Sequence, residues 1–167
     1  MIRIRRGAAA DVPALHAVER SAGERFRGTH MAWAVGEVTD AADLLAGAEA
    51  ELLWVAEAED GVCGFLLAEG IGRDFHIWEL SVDQRHQGQG VGRDLLEAAL
   101  GEAARRGFER ATLTTDRTLA WNAPWYARRG FHEVSGGELD PRLTAQMKSE
   151  PEPARRCAMA RALAGDA

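Results

Sequence analysis

A glycine-rich stretch at residues 87–93 has the residue types that bind phosphate. It reads Gln87, Gly88, Gln89, Gly90, Val91, Gly92 and Arg93, and a strongly amphipathic segment follows it. Glycine has no Cβ, so the backbone N–H groups of such a loop can converge on a ligand. The N-terminus of a helix adds unpaired N–H donors and partial positive charge, which favour an anion. We therefore predict a phosphate or diphosphate site at this loop.

Two common phosphate motifs differ from this loop. A P-loop ends in Gly-Lys followed by Ser or Thr, whereas Gly92 is followed by Arg-Asp, which excludes that motif. A dinucleotide fingerprint needs the spacing G-x-G-x-x-G; Gly88 and Gly90 fit it, but the third position is not glycine. Asp116, at the end of the next predicted strand, would suit a ribose hydroxyl. A nicotinamide-dependent oxidoreductase therefore stays open as an alternative.

The elements around the loop predict an α/β fold in one domain, residues 1–167. Alternating or continuous apolar runs predict strands at residues 2–5, 52–58, 62–68, 75–82, 111–115, 131–134 and 155–160. Cap residues and helical spacing predict helices that begin near residues 11, 40, 91, 122 and 140. We expect a central mixed, mostly antiparallel sheet of about six or seven strands, flanked by about four or five helices.

The motifs resemble those of the GNAT superfamily of N-acetyltransferases. Residues 87–92, read as Gln-x-x-Gly-x-Gly, resemble the acetyl-CoA pyrophosphate loop of that family. Residues 80–83, Leu-Ser-Val-Asp, resemble its fourth strand and the bulge there. Residues 122–131 resemble its second signature, in which an asparagine and an aromatic-Tyr pair on a short helix precede Gly-Phe. The order of the predicted strands agrees with this resemblance from about residue 2 to residue 161.

The resemblance implies an enzyme that uses acetyl-CoA as co-substrate and no metal. It implies that the backbone of Leu80 and Val82 pairs with the pantetheine arm as an added strand would. It also implies that the glycine loop contacts the phosphates and that Asn122 reaches the pantetheine. The implied cofactor-binding residues are Leu80, Ser81, Val82, Gln87, Gly88, Gln89, Gly90, Val91, Gly92, Arg93 and Asn122.

Acetyl transfer from a thioester to an amine requires a neutral amine and a proton for the departing thiolate. Tyr126 is the single tyrosine, and a phenol stays protonated near neutral pH, so it can donate that proton. The resemblance implies the same role. Glu79 is an acid among apolar residues of a predicted strand, which indicates a task as general base or acceptor contact. His76 is the second candidate base and Asp116 the third.

An acceptor pocket is predicted around Phe26, Trp33 and Glu37, because the resemblance implies that relatives build it from this region. An aromatic ring beside Glu24 and Glu37 would hold an ammonium group by a cation–π contact. Residues 31–72 contain nine acids and no Lys or Arg, which favours a cationic acceptor. We expect a small cationic metabolite or a peptide N-terminus.

Composition excludes several classes of protein. Hydrophobic residues make up 46% of the chain and charged residues 28%, an ordinary balance for a folded soluble domain. The net charge of −6 argues against binding to nucleic acid. The chain has no apolar run of about 18 residues and its N-terminal region has no apolar core, so we expect neither a membrane partner nor a signal peptide.

Cysteine usage indicates a cytoplasmic enzyme without a covalent intermediate. The two cysteines, Cys63 and Cys157, lie in apolar strand-like segments and are predicted to be buried free thiols. Neither lies where an acetylated intermediate would form, so we expect direct attack in a ternary complex. A catalytically weak coenzyme A-binding regulatory module is the main alternative. Dimers are frequent among GNAT relatives, so the resemblance allows a homodimer.

Overall fold

Seven β-strands and five α-helices form across residues 1–163, the part of the chain that the structure, a computed structural model, describes. The strands are β1 (Arg3–Arg6), β2 (Leu53–Ala58), β3 (Gly61–Ile71), β4 (Asp74–Val82), β5 (Arg110–Asp116), β6 (His132–Val134) and β7 (Arg156–Ala162). The helices are α1 (Val12–Gly23), α2 (Ala41–Glu49), α3 (Val91–Arg105), α4 (Ala123–Ala127) and α5 (Pro141–Ser149).

The strands form one sheet in the order β1-β2-β3-β4-β5-β7-β6. β4 and β5 are parallel, whereas β1 with β2, β2 with β3, β5 with β7 and β6 with β7 are antiparallel. The predicted fold class, a mixed and mostly antiparallel sheet with flanking helices, is confirmed. No helix among the described residues has both the length and the apolar character needed to cross a membrane.

The described residues group into two compact units. The first contains residues 1–69 and 79–102, and the second contains residues 70–78 and the described residues from 103 to 163. In the first unit, α1 begins with a proline in its first turn, where the missing N–H removes no helical hydrogen bond. The buried side chains of α1, α2, β2 and β3 form its core: Leu15, Val18, Leu44, Leu53, Val55, Phe65 and Leu67.

Gly64 on β3 determines how closely α3 can approach the sheet. A Cβ at this position would lie 3.1 Å from Leu95, 3.1 Å from the carbonyl oxygen of Ser81 and 3.2 Å from Val91. These distances are tighter than ordinary carbon contacts. The glycine therefore lets the first turns of α3 pack against β3, and this packing fixes the helix start that follows the glycine loop.

The second unit is organised around β5. The register of β4 and β5 places Asp74 opposite Arg110 and His76 opposite Thr112. Arg110 donates to both carboxylate oxygens of Asp74, at 2.7 and 3.0 Å, which ties the two strands together at this point. On the other side of β5, β7 pairs along its whole length and β6 follows it. A small core of Leu139, Leu143 and Ala158 packs α5 onto this unit.

Candidate active site

The glycine loop contains two residues with left-handed backbone conformation. Gly88 and Gly90 have φ angles of 77° and 84°, in the left-handed region that L-residues with a side chain rarely adopt. A Cβ on Gly90 would also lie 2.9 Å from a guanidinium nitrogen of Arg93. The first turn of α3 begins here, since the N–H of Asp94 donates to the carbonyl of Gly90. The N–H groups of residues 91–93 therefore precede the helical ladder and suit an anion.

The side chain of Gln87 links this loop to two other parts of the first unit. Its Nε2 donates to the carbonyl oxygen of Val82 at 2.9 Å, and its Oε1 accepts from Arg25 at 3.1 Å. Gln87 was predicted as a phosphate contact, and its side-chain amide is engaged by protein groups at both ends. Gln89 is exposed, and its Nε2 donates to the carbonyl of Arg85 at 3.1 Å. Both side chains thus stabilise the loop conformation.

Two arginines near the loop are paired with surface carboxylates. Arg85 contacts Asp83 at 3.2 Å and Asp60 at 3.6 Å, and its side chain is 71% exposed. Arg93 contacts Asp94 at 3.1 Å and is 60% exposed. Ion pairs in water contribute little free energy, so a phosphate group can replace these partners at small cost. The structure therefore leaves two exchangeable cations beside the loop.

The strand before the loop presents alternate backbone groups to its two edges. The N–H of Asp83 donates to the carbonyl of Cys63 on β3 at 2.8 Å. Because successive residues of a strand point their N–H and C=O groups to opposite edges, those of Leu80 and Val82 face away from β3. The carbonyl of Val82 receives the Gln87 bond on that edge. This is the orientation that pairing with an added strand would need.

Glu79 lies on the same strand and is half-buried. Its Oε1 accepts a hydrogen bond of 2.8 Å from the hydroxyl of Ser81, which is 5% exposed. Residues 79 and 81 share a face of β4 because side chains alternate along a strand. Ser81, predicted as a cofactor contact, therefore uses its side chain to orient a carboxylate.

His76, in the second unit, has a different environment. Its ring is 1% exposed, its Nδ1 lies 2.8 Å from the hydroxyl of Thr112, and its edge packs on Trp78. Burial lowers the pKa of His76 to about 4, against the opposing influence of the Asp74 carboxylate. The imidazole is thus neutral at pH 7 and poorly accessible, which disfavours it as a base.

Asn122 is the N-cap residue of α4 in the second unit. Its Nδ2 donates to the hydroxyl of Thr115 at 3.0 Å, whereas its Oδ1 is buried without a partner among the described residues. A buried acceptor without a partner costs free energy, and a donor from a bound molecule would remove that cost. This observation fits the predicted contact to pantetheine, whose amides carry N–H groups.

Tyr126 lies one turn further along α4, where its N–H donates to the carbonyl of Asn122 at 3.2 Å. Its ring is half-buried and makes edge contacts with Trp125 and Phe131, with centroids 5.0 and 5.6 Å apart. The guanidinium of Arg129 lies 3.6 Å from the centroid of the Trp125 ring, which further orders this helix. The single tyrosine is therefore held in a fixed aromatic setting.

Asp116 is fully buried, and its Oδ1 accepts from the N–H and hydroxyl of Thr118 and from the N–H of Leu119, at 2.8 to 3.0 Å. This carboxylate shapes the turn after β5, as aspartates commonly do in turns. The structure thus gives the third candidate base a structural role.

The predicted acceptor residues lie on an irregular segment between α1 and α2. Trp33 is 40% exposed in a short 3-10 helix (Ala32–Ala34), Glu37 is exposed and Phe26 is half-buried. Both oxygens of Glu24 accept from Arg27, at 2.9 and 3.1 Å, so an ammonium group at Glu24 would have to displace this exposed guanidinium. This ion pair joins residues one helical turn apart and neutralises one of the two predicted acids.

The sequence analysis missed a buried carboxylate that fixes this segment. Glu19 on α1 is 8% exposed and accepts from the N–H and hydroxyl of Thr39, at 2.8 and 2.9 Å. Burial raises the pKa of Glu19, and the hydrogen bonds from Thr39 offset this only in part. The available signal was its position on the buried face of α1, next to Val18. Among the described residues, no cluster of three or more His, Cys, Asp or Glu could hold a metal ion.

Sequence comparison assigns the class that this fold and loop define. A family model described as an acetyltransferase (GNAT) domain matches residues 49–133, about half of the 167-residue chain. The matched region includes the glycine loop, Glu79, Asn122 and Tyr126. The chain therefore belongs to the GNAT acetyltransferase family, and it is an acyltransferase. The predicted family is confirmed. The family match replaces the alternative of a nicotinamide-dependent oxidoreductase.

Solved acetyltransferases share the fold. N-acetylglutamate synthase from Neisseria gonorrhoeae, complexed with coenzyme A and N-acetyl-glutamate, has a TM-score of 0.77 and 21% identity, covering 98% of this chain and 35% of that chain. PaiA N-acetyltransferase from Thermoplasma acidophilum, complexed with coenzyme A, has a TM-score of 0.75 and 17% identity. The match covers 97% of this chain and 99% of that chain. A GNAT acetyltransferase from Staphylococcus aureus has a TM-score of 0.73 and 16% identity. The match covers 98% of this chain and 100% of that chain. The chain thus spans about a third of the N-acetylglutamate synthase.

Proposed function

We propose that this chain transfers the acetyl group of acetyl-CoA to a primary amine, by direct attack in a ternary complex. The observation that carries this proposal is the pair of left-handed glycines, Gly88 and Gly90, immediately before the first turn of α3. Their backbone fits a diphosphate, and the related synthase and PaiA structures contain coenzyme A. When bound, acetyl-CoA supplies an activated thioester.

Three groups of the chain would hold the coenzyme. The N–H groups at residues 88–93 bind the diphosphate, with Arg85 and Arg93 as neighbouring cations. The outward edge at Leu80 and Val82 pairs with the pantetheine arm. The unpartnered Oδ1 of Asn122 accepts an amide N–H. The Val82 carbonyl already accepts from Gln87, so the edge offers the arm the Val82 N–H and the backbone groups of Leu80.

We assign the general base to Glu79, with His76 as the weaker candidate. Alkylamines are mostly protonated at neutral pH, so a group of the chain must accept a proton, directly or through water. Glu79 is half-buried and its carboxylate is oriented by Ser81, whereas His76 is fully buried. The accessible carboxylate is better placed to exchange a proton with an acceptor from solution.

We assign the general acid to Tyr126. Its phenol remains protonated at neutral pH and can supply the proton that the leaving sulfur requires. The short helix and the flanking Trp125 and Phe131 rings restrict the position of its side chain. A fixed donor needs no reorganisation during the reaction, which favours catalysis.

The proposed acceptor is a small cationic metabolite or a peptide N-terminus. Exposed Trp33 and Glu37 lie on one segment of the first unit, and residues 31–72 contain acids but no Lys or Arg. An aromatic face and a carboxylate recognise an ammonium group by a cation–π contact and by charge.

A thiol-release assay with acetyl-CoA and a panel of primary amines tests this function. We expect amine-dependent release of free coenzyme A, and Tyr126→Phe should lower kcat by about 10- to 1000-fold with little change in the KM for acetyl-CoA. Coenzyme A binding without turnover on any amine would instead indicate the regulatory module. Trp33→Ala should raise the KM of the acceptor alone.

The proposal includes a cytoplasmic location, no resident metal and the option of a homodimer. Cys63 and Cys157 are free and buried, which is compatible with a reducing compartment. Thiol release that persists in EDTA supports the metal-free mechanism, and sedimentation measurements determine the oligomeric state.

A further inference from the structure

The two ends of the Gln87 side chain connect parts of the first unit that are distant in sequence. Its Nε2 donates to Val82 at the end of β4, while its Oε1 accepts from Arg25, 62 residues earlier. Arg25 belongs to a short 3-10 helix (Glu24–Phe26) that directly follows α1. The bond therefore joins the glycine loop to the start of the segment 24–39, which we call the acceptor segment.

The acceptor segment is held at both ends and, in its middle, by the buried side chain of Met31, which is 6% exposed. At its far end, Thr39 is bound by Glu19, and the Nε2 of His16 lies 2.8 Å from the carbonyl of Thr39. Between the ends, successive turns have local hydrogen bonds, such as Thr29 N–H to Phe26 at 3.0 Å and Ala34 N–H to Met31 at 2.8 Å. Such short turns open easily because each is closed by a single bond. Loss of the bond at either end therefore loosens the adjoining turns, between that end and the buried Met31.

We propose that Arg25 is a positioning residue that couples the coenzyme A loop to the acceptor segment, so that binding of coenzyme A orders the segment that receives the amine. This inference rests on the proposed function, since it takes residues 87–93 as the diphosphate site. It assigns Arg25 a role that acts through Gln87.

The coupling follows from the chemistry of the Gln87 amide. A diphosphate bound to the backbone N–H groups restricts residues 87–93, and the bond to Val82 then fixes the direction of the amide. The amide oxygen is thereby held in place for the Arg25 guanidinium. Burial of Arg25 lowers the pKa of its guanidinium, and a partly desolvated cation gains more from a fixed acceptor than an exposed one does. Reduced motion at Arg25 limits the fraying of the turns beside Phe26 and Trp33.

Hydrogen exchange measured by mass spectrometry, with and without coenzyme A, tests this coupling without knowledge of the acceptor. In the wild-type protein we expect coenzyme A to slow exchange both in residues 87–93 and in the acceptor segment. In Arg25→Ala the slowing should persist at residues 87–93 and fall at least threefold in the acceptor segment. Arg27→Ala is the matched control, because Arg27 lies in the same segment, is 68% exposed and pairs only with Glu24 among the ion pairs of the described residues. It should behave as the wild type.

Gln87→Met provides the second variant, since it removes the bond to Arg25, together with the bond to Val82, while keeping an extended side chain. We expect it to uncouple the acceptor segment as Arg25→Ala does, and the double variant should add no further loss. Equal protection of the segment in wild type and Arg25→Ala, or protection limited to residues 87–93 in the wild type, overturns the coupling and leaves the proposed function intact. Absence of protection at residues 87–93 overturns both.

Discussion

The hydroxyl of Ser81 donates a hydrogen bond of 2.8 Å to Glu79, two residues earlier on the same face of β4. A donor to a carboxylate stabilises its charged form and makes it a weaker base. If Glu79 accepts the proton of the amine, Ser81→Ala should shift the acidic limb of the pH profile of kcat/KM to higher pH. Kinetics between pH 5 and 9 on one acceptor measures this shift.

Ser149→Ala is a suitable control for that experiment, because the Ser149 hydroxyl is exposed and bonds only to Gln146 in its own helix among the described hydrogen bonds. Its profile should match that of the wild type. Superimposable profiles for Ser81→Ala and wild type, with activity lost in Glu79→Gln, would show that Ser81 does not tune the carboxylate.

Substitution of Gly90 should weaken coenzyme binding. Alanine at a φ of 84° is strained by about 1–2 kcal/mol, and its Cβ would displace the Arg93 guanidinium. We expect Gly90→Ala to raise the Kd for acetyl-CoA by about tenfold or more in calorimetric titration. Gly107→Ala is the control, since Gly107 has a similar φ of 86° with open space at its Cβ and lies outside the loop. Equal weakening in both variants would attribute the effect to general strain.

The buried His76 should make the fold sensitive to acid. Its pKa of about 4 in the folded chain lies below the ordinary value of 6.5, so the unfolded chain binds the proton more readily between these values. The stabilising contribution is complete above pH 6.5 and is lost as the pH falls toward 4, on the order of 3 kcal/mol in total. Urea unfolding of wild type and His76→Gln across this range measures it.

The variant His76→Gln should show a flatter dependence of the free energy of unfolding on pH. His132→Gln, at an exposed position of β6, serves as the control. An unchanged slope in His76→Gln would mean that this imidazole is not protonated on unfolding in that range.

Glu19 should make the free energy of unfolding depend on pH in the direction opposite to that of His76. Burial raises the pKa of Glu19 above its unfolded value, so the folded chain keeps this proton to higher pH than the unfolded chain does. The stability linked to Glu19 is fully present below the unfolded pKa and is lost as the pH rises through the folded pKa. Glu19→Gln should remove that loss in urea titrations above pH 4.5, whereas Glu49→Gln, exposed on α2, should retain it. A loss of equal size in all three proteins would exclude Glu19 as its source.

The helices and strands could be predicted where apolar residues repeat with a clear helical or strand periodicity. The helix expected from residue 91 is α3, and the strand expected over residues 75–82 is β4 with one further residue. β3 continues to Ile71 beyond the predicted residue 68, because exposed Glu69 and Gly70 interrupt the apolar pattern without ending the strand. The sheet order β5-β7-β6 could not be predicted, since alternation identifies a strand but not its neighbour.

The glycine loop could be predicted from composition, whereas its side-chain partners could not. Glycines before an amphipathic helix imply a backbone anion site from local physics alone. The Arg25–Gln87 bond spans 62 residues, and its existence depends on how α1 and β4 are placed in the folded first unit. Such tertiary contacts carry no periodic signal. The Glu24–Arg27 pair, by contrast, joins residues three apart and could be predicted from spacing.

A crystal structure of the chain with coenzyme A is the decisive test of a diphosphate site at the glycine loop. We expect diphosphate density within hydrogen-bond distance of the backbone N–H groups at residues 88–93, with Gly88 and Gly90 still left-handed. Density for the nucleotide at another surface, with this loop free of ligand, would contradict it.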